Sequence, residues 1–280
     1  MSARGRARRG RPWPVLEVAL LLAGLIFVSP CVLALLNAFK TNTEIIMDPL
    51  AMPRSPGWDN FAFIFQGMKL ARPMVNSLLM CAAVIASLVT IGPMAAWSIV
   101  RRRMATGRLL RMFFLAGLIV PFQIVMVPLL KEFRLIGIEF TYLALLLHYV
   151  SWGLPMCIFI YSAFLTAIPR ELEEAAAIDG CGQVMTFWRI VFPLLTPCTA
   201  TIVIFWGLWI CNDFMQAFII MGPSKGQLVF VQLWRFLNDQ YVRNWNHIFA
   251  GVVVLSAPVT ALYVLMQRRF VAGLSAGAIK

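Results

Sequence analysis

The stretch "EEAAAIDGCG" at residues 173–182 is acidic, although the segments on both sides of it are almost entirely apolar. Three carboxylates, Glu173, Glu174 and Asp179, stand here among three alanines and two glycines. Alanine favours helix, and glycine readily takes the left-handed conformation that ends one. The stretch is therefore predicted to be a short helix followed by a break, placed between two membrane-embedded segments.

The composition of the whole chain is that of an integral membrane protein. Hydrophobic residues make up 61% of the 280, charged residues only 13%, and the mean hydropathy is +0.81. Soluble domains contain about 45–50% apolar and about 25% charged residues. The apolar runs are about 20 residues long, as membrane helices require, and not the alternating segments of about ten that form barrels. The predicted fold class is all-α.

Six apolar segments are long enough to cross a bilayer as helices, and they define the predicted organisation. The segments are residues 15–36, 74–100, 109–129, 142–165, 194–221 and 248–266. A basic tail (1–14) precedes the first helix and its outer loop (15–71). A compact domain of five helices (72–267) contains the polar connection 166–193, and a short tail (268–280) follows it.

Arginines are concentrated on one predicted side of the membrane, which accounts for the net charge of +12. They occur before the first span in "SARGRARRGRP" (2–12) and after the second in "RRRMATGRLLR" (101–111). Short arginine-rich segments stay in the cytoplasm. Both termini and the connection 166–193 are therefore predicted to be cytoplasmic in a multi-pass membrane protein. A nucleic-acid role is disfavoured, because the charge serves topology.

The connection 166–193 has the local chemistry of two short helices. Pro169 fits a helix start, and the acids that follow it complement the positive end of the helix dipole. Gly180 and Gly182 are both predicted to end this helix, and a second helix is predicted at about 183–192. An interfacial connector would favour basic residues. The acids and the alanine face instead favour docking into a groove on another protein.

The motifs of this connection resemble the EAA loop of permease subunits from binding-protein-dependent ABC importers. The similarity is carried by Glu174-Ala175-Ala176, Gly180, Ile190 and Pro193, and Asp179 and Phe187 extend it toward the carbohydrate branch. "NDFMQAFII" (212–220) is similar to a fifth-span pattern of that family, although Cys211 stands where the family has tryptophan. The ending "QRRFVAGLSAGAIK" (267–280) is similar to that of maltose- and glycerol-phosphate-type permeases.

The resemblance, which covers essentially the whole chain, implies a type-1 importer permease of a bacterial inner membrane with six transmembrane helices. Its loop is the coupling helix that docks on an ATPase, in which Glu174 orients the contact, Ala175 and Ala176 permit close approach, and Gly180 supplies the bend. Asp179, Ile190 and Pro193 complete the implied coupling set. The implied partners are a second homologous permease, two ATP-binding ABC subunits and an extracytoplasmic solute-binding protein. The implied solute is a sugar, a polyol or glycerol phosphate.

The chain itself is predicted to be no enzyme. It has no GxxxxGK[ST] phosphate loop, so ATP and Mg²⁺ are expected on the partner ATPase. No cofactor is expected in this chain. The six cysteines have no spacing typical of a metal site, and none is predicted.

Candidates for the translocation pathway are Asn212, Asp213, Trp209 and Trp152. Intramembrane charges are costly and face a cavity or a partner, so Asp213 either lines the pathway or makes a helix-to-helix hydrogen bond. Tyr149 and Trp152 could stack on a sugar face. The alternative function is a secondary transporter driven by an ion gradient, for which Asp213 is the one strong coupling candidate.

Overall fold

The computed structural model describes residues 14–54, 56–67, 71–101, 105–225, 228–239, 244–257, 260–261 and 264. Every regular element within these ranges is helical. The predicted C-terminal tail (268–280) and nearly all of the basic N-terminal tail (1–14) lie outside the described residues. The second half of the sixth predicted span lies largely outside them as well.

The described chain consists of helices of very different length. The longest are α1 (Pro14–Ala38), α4 (Ala71–Arg101) and α7 (Tyr142–Ala167). The others are α2 (Asn42–Met47), α3 (Asp59–Gly67), α5 (Ala105–Gly117), α6 (Phe122–Leu135), α8 (Glu171–Ile178), α9 (Gln183–Thr186), α10 (Phe192–Leu194), α11 (Thr196–Asn212), α12 (Met215–Lys225), α13 (Val229–Asp239) and α14 (Trp245–Ala257). A π-helical turn, Phe187–Val191, joins α9 to α10.

Within the described residues, three helices are long and apolar enough to cross a membrane, namely α1, α4 and α7. Two bent pairs raise this number to as many as five if each is one span. The pairs are α5 with α6, which meet at 100°, and Gln183–Leu194 with α11, which meet at 75°. The start of the sixth predicted span lies in the shorter apolar helix α14.

The predicted spans at 109–129 and 194–221 are not continuous helices, because each is broken. The first is divided between α5 and α6, and Pro121 caps α6 in an extended conformation. Proline has no N–H to donate and pushes the residue before it away from the helical region, so the chain turns here. The second is divided between α11 and α12 at Asp213, which has extended backbone angles (φ −74°, ψ 126°).

The described residues form two compact units. In the larger, residues 71–239 and from 255 onward, α4 and α7 pack closely through glycines. A Cβ atom on Gly92 would lie 3.1 Å from the Cβ of Cys157, and one on Gly153 would lie 2.8 Å from a methyl carbon of Leu88. Small residues let membrane helices approach at backbone distance. This pair therefore forms the centre of the larger unit.

The smaller unit, residues 14–67 with 244–254, is held together by hydrogen bonds of side-chain amides. The Asn60 amide donates to the backbone oxygens of Ala38 (2.9 Å) and Lys40 (2.8 Å), and it accepts from the Asn246 amide at 2.6 Å. The ammonium of buried Lys40 donates to the backbone oxygens of Asp48 and Pro49. These bonds hold the segment after α1 in a defined shape. Along α1 itself the apolar side chains are exposed, as suits contact with lipid.

Candidate functional site

Helix α8 is a single short helix with the predicted acidic start. Glu171, Glu173 and Glu174 occupy its first turn, where their charges complement the free N–H groups. The helix ends in a Schellman motif: Cys181 N donates to Ala176 O at 2.9 Å and Gly180 N to Ala177 O at 3.1 Å. The position after the cap requires a positive φ, and Gly180 has φ +83°.

Only one of the two predicted helix-ending glycines has that role. Gly182 has φ −69° and an extended conformation, and it is the N-cap of α9. The prediction that Gly182 also ends α8 is therefore wrong. Gly180 makes the bend, and Gly182 starts the second helix, which continues to about the predicted residue through α9, the π-turn and α10.

The exposed side of α8 combines acids and apolar residues. Glu174, Ala175 and Asp179 are exposed, and Ile178 is 87% exposed. Five exposed apolar residues of this loop are called here the exposed loop face: Leu172, Ala175, Ile178, Val184 and Met185. Leu172, Ala175 and Ile178 recur at a spacing of three and so lie on neighbouring positions of one helix surface.

Ala176 is not part of this face. Its side chain is 4% exposed, because it is packed within the chain. Of the two alanines expected to permit close approach to a partner, Ala175 is exposed and Ala176 is buried.

The buried side of α8 also carries an ion pair. The guanidinium of Arg101, the last residue of α4, donates from Nε to Glu173 Oε1 at 2.7 Å, and its Nη2 lies 2.6 Å from the same oxygen. The indole N–H of Trp97 donates to Glu173 Oε2 at 3.0 Å. The side chains of Arg101 and Glu173 are only 15% and 16% exposed. Both carboxylate oxygens are thus held by α4.

Two arginines tie the ends of α4 and α7 to the same place. Arg101 Nη2 also donates to the backbone oxygen of Ile168, the C-cap of α7, at 3.1 Å. Arg170 Nη2 donates to the backbone oxygens of Val100 and Arg101, each at 3.4 Å. Basic groups satisfy the free carbonyl groups at helix ends. The ends of α4 and α7 and the start of α8 therefore meet in one polar cluster.

The second helix of the loop is anchored by Phe187. Its ring is 2% exposed and lies 5.4 Å from the Trp97 ring of α4. Ile190, in the π-turn, is half-buried, and Pro193, in α10, is exposed. A cavity of about 400 Å³ lies between this helix and the end of α4. The residues that line it are Trp97, Ser98, Arg101, Glu173, Ala177, Cys181, Gln183 and Thr186.

Asp213 organises the break between α11 and α12. Its carboxylate accepts hydrogen bonds from the backbone N–H groups of Ala217 (3.0 Å) and Gln216 (3.4 Å), as an N-cap does. It also accepts from the hydroxyl of Tyr149 on α7 at 2.7 Å. Of the two interpretations left open, the helix-to-helix hydrogen bond is present. Asp213 lies at a helix break and not within a continuous span.

The neighbours of Asp213 on α7 are packing residues. Tyr149 is 1% exposed, so its ring has no free face for a sugar, contrary to expectation. His148 is buried, and its Nε2 lies 2.7 Å from the side-chain oxygen of Gln216. Two polar contacts therefore hold α12 against α7.

Three of the four predicted pathway residues are brought together. Trp209, Asn212 and Asp213 line one open cavity of about 450 Å³, together with Phe205 and Leu208. The fourth, Trp152, is not in this cavity. It lies on α7, with its ring 6.1 Å from that of His148 and 6.3 Å from that of Phe122.

Sequence reasoning missed the cluster of Trp97, Arg101 and Glu173. Trp97 and Arg101 are four residues apart, so they share one helix face, and this spacing was the available signal. The sequence pattern identifies Glu173 as an acid of the loop but does not predict it as a site residue. No local pattern separates it from its neighbour Glu174.

Comparisons with known proteins identify the family of the chain. Residues 76–276 match the family described as "Binding-protein-dependent transport system inner membrane component". The chain is 30% identical over 263 residues to the probable starch degradation products transport system permease protein AmyC of Thermoanaerobacterium thermosulfurigenes, which covers 93% of this chain and 94% of that protein. It is also 30% identical over 277 residues to the trehalose transport system permease protein SugB of Mycobacterium tuberculosis (strain CDC 1551 / Oshkosh), with 98% and 99% covered.

A solved structure shares the fold. It is a bacterial ABC transporter involved in the import of the acidic polysaccharide alginate, with a TM-score of 0.76, 15% sequence identity and coverage of 96% of this chain and 100% of that one. The predicted helical permease fold and the resemblance on which it drew are confirmed. This multi-pass membrane protein belongs to the family of inner membrane components of binding-protein-dependent transport systems.

Proposed function

We propose that this chain is the permease subunit of an ATP-driven importer for a sugar or a related solute, such as a polyol or glycerol phosphate. A second related permease would complete the translocation pathway, and a soluble binding protein would deliver the solute. The proposal is supported by the names of the two relatives, which are permeases for starch degradation products and for trehalose. An ion-gradient transporter has no comparable support.

The observation that carries the proposal is the exposed loop face. Ile178 is 87% exposed, although Ala176 on the same short helix is buried. Grouped exposed apolar side chains such as these mark sites of protein–protein contact. Short, preformed helices dock into grooves through such apolar anchors. We assign Ile178 as the central anchor, with Glu174 and Asp179 as acids at its edge.

In this proposal, each of two ATP-binding subunits has such a groove, and these subunits bind ATP and Mg²⁺. One of them receives the loop of this chain, and the other receives the loop of the second permease. The chain itself contributes no catalytic group. Its contribution is to carry the movement of the ATPase into the membrane helices.

The orientation follows from the arginines. We infer that the loop side is cytoplasmic, because Arg101, the first residue of the arginine-rich sequence 101–111, bonds Glu173 of α8, and short arginine-rich segments stay in the cytoplasm. The two termini lie on that side too in this proposal. The segment after α1, with α2 and α3, would then be extracytoplasmic.

The cavity of Trp209, Asn212 and Asp213 is the proposed lining of the solute pathway. Ligand sites combine aromatic walls with a few polar groups that fix orientation. Trp209 offers an aromatic surface, and Asn212 has an exposed amide whose nitrogen donates to Leu208 O at 2.7 Å. The Asn212 amide oxygen is the group best placed to accept from a solute hydroxyl.

The experiment that tests this function is uptake into proteoliposomes. The complex, co-expressed with the second permease and the ATPase, is reconstituted and supplied with the binding protein and with labelled trehalose, maltotriose or glycerol 3-phosphate. Uptake that requires ATP on the side of the membrane where the ATPase lies supports the proposal. Uptake that instead requires a proton or sodium gradient, and proceeds without ATP, contradicts it.

A further inference from the structure

The carboxylate of Glu173 joins α8 to α4 on the buried side of the loop. We propose that Glu173 is a positioning residue that makes α8 and α4 move as one body when the ATPase closes. This inference rests on the proposed function, in which α8 docks on the ATPase. It assigns to Glu173 a task different from that of Glu174, which is exposed.

The connections of α8 explain why such a link is needed. Through the backbone, α8 is continuous with α7 on one side and with α9 on the other, across Ile168–Arg170 and Gly180–Gly182. It has no backbone continuity with α4, which precedes it by 70 residues. Side-chain contacts therefore join α8 directly to α4. Trp97 and Arg101 hold Glu173, and Arg170 at the start of α8 bonds the last carbonyl groups of α4.

The geometry of the link is suited to transmit force. Both oxygens of Glu173 are bonded, one to Arg101 at 2.7 Å and the other to Trp97 at 3.0 Å, so the carboxylate cannot turn. Charge-assisted bonds of this length are roughly twice as strong as neutral ones. Arg101 is further held by Ile168 O at 3.1 Å, so the ends of α4 and α7 and the start of α8 are fixed together.

A second ion pair in the chain is a natural control. Arg134 Nε donates to Glu139 Oε2 at 2.7 Å, nearly the same distance, but the two side chains are 71% and 34% exposed. Exposed pairs contribute little, since water screens them. The two pairs share their chemistry and differ in burial and in what they connect, because Arg134 and Glu139 lie only five residues apart.

The adjacent acids of the EAA region thus face in different directions. Successive residues of a helix are about 100° apart around its axis. Glu173 points to α4, and Glu174 is exposed on the side open to a partner. One acid is assigned to docking on the ATPase and the next to transmission into the membrane helices.

The test measures the number of ATP molecules hydrolysed per solute molecule imported. Wild type, Glu173→Gln, Arg101→Gln, the double variant and Glu139→Gln are reconstituted with the ATPase and the binding protein, and the probes are labelled trehalose, maltotriose and glycerol 3-phosphate. The ratio is insensitive to a loss of folded complex, because an inactive complex contributes neither to ATP hydrolysis nor to solute import. Co-purified ATPase is measured in parallel.

We expect Glu173→Gln to raise this ratio about fivefold or more, the lower end of ordinary coupling between sites. Arg101→Gln should raise it similarly, and the double variant no further, because both remove one link. Glu139→Gln should leave it unchanged. Co-purified ATPase should stay at the wild-type level in all variants.

Three results would overturn the inference while leaving the proposed function intact. They are a wild-type ratio in Glu173→Gln, additive effects of the two single variants, and a loss of co-purified ATPase, which would assign Glu173 to docking. If wild type itself imports none of the three probes with ATP, the proposed function fails, and this inference fails with it.

Discussion

The hydroxyl of Tyr149 on α7 donates a 2.7 Å hydrogen bond to the carboxylate of Asp213, which also accepts from the backbone N–H of Ala217 at the start of α12. One carboxylate thus caps α12 and joins it to α7. An acid in a membrane segment is commonly taken for an ion-coupling group. Here it has a complete structural role at a helix break.

Asp213→Asn is predicted to keep most transport activity. Asparagine is as good an N-cap as aspartate, and its side-chain oxygen can still accept from Tyr149. Interhelical hydrogen bonds in membranes are worth about 0.6–1.7 kcal/mol, so the melting temperature should fall by only a few degrees. Asp213→Ala, which removes both functions, should lower it further. The measurement is thermal unfolding of the solubilised complex beside ATP-driven uptake. Abolished uptake in Asp213→Asn at an unchanged melting temperature would instead show that the carboxylate itself is needed for transport.

Gly180→Thr is predicted to weaken association with the ATPase, whereas Gly182→Thr should not. A Cβ atom at either position meets nothing within 4 Å, so the two glycines differ in backbone conformation alone. Gly180 has φ +83°, which a β-branched residue resists at a cost of about 1–3 kcal/mol. Gly182 has φ −69° as an N-cap, where threonine is favourable. Pull-down of the ATPase measures both. Equal behaviour of the two variants would show that the bend is unimportant.

Glu174→Lys is predicted to lower co-purified ATPase about tenfold, because like charges across an interface cost several kcal/mol. This prediction requires basic residues at the edge of the partner's groove, opposite Glu174, and not at its apolar centre. Glu132→Lys, the same change at an exposed position of α6, is the control and should be neutral. If α8 were only an interfacial connector, a lysine there would be neutral or favourable near anionic lipid. Wild-type amounts of ATPase with Glu174→Lys would support that connector.

Gly92→Val is predicted to destabilise the chain by about 1–3 kcal/mol through overpacking. The added Cβ atom would lie 3.1 Å from the Cβ of Cys157 and 3.4 Å from the ring of Tyr161. Gly24→Val in α1 is the matched control, since nothing lies within 4 Å of a Cβ atom there. Melting temperature and membrane abundance measure the difference. Equal stability of the two variants would mean that α4 and α7 do not pack as described.

Hydropathy alone predicts α1, α4 and α7 to within three residues, because each is one uninterrupted apolar helix. Hydropathy does not predict the breaks within the third and fifth spans. Pro93, Pro128 and Pro155 all lie inside helices, whereas Pro121 is the N-cap of α6 at the break after α5. Neighbouring helices can satisfy the carbonyl groups that a membrane proline frees. Which proline breaks its helix therefore depends on packing, which the local sequence does not contain.

The candidate site also has features that the local sequence predicts and features that it does not. The helix end at Gly180 is predictable, since a local pattern of acids, alanines and glycine determines it. The different directions of Glu173 and Glu174 are not, because adjacent acids on a short helix have the same local chemistry. Only the positions of Trp97 and Arg101, more than 70 residues earlier, distinguish them.

The most direct test of the account is the amount of ATPase that co-purifies with Ile178→Asp. Ile178 is 87% exposed on α8, and Met47 is 81% exposed on α2, so Met47→Asp is a control of equal exposure. Neither change disturbs a buried side chain, and both proteins should reach the membrane in normal amounts. Burying a charge in an apolar groove without a partner is costly, so Ile178→Asp should lower co-purified ATPase and ATP-driven uptake about tenfold or more, as loss of an interface hot spot does. Met47→Asp should retain the ATPase. Wild-type amounts of ATPase and uptake with Ile178→Asp would contradict the claim that this loop is where the motor binds.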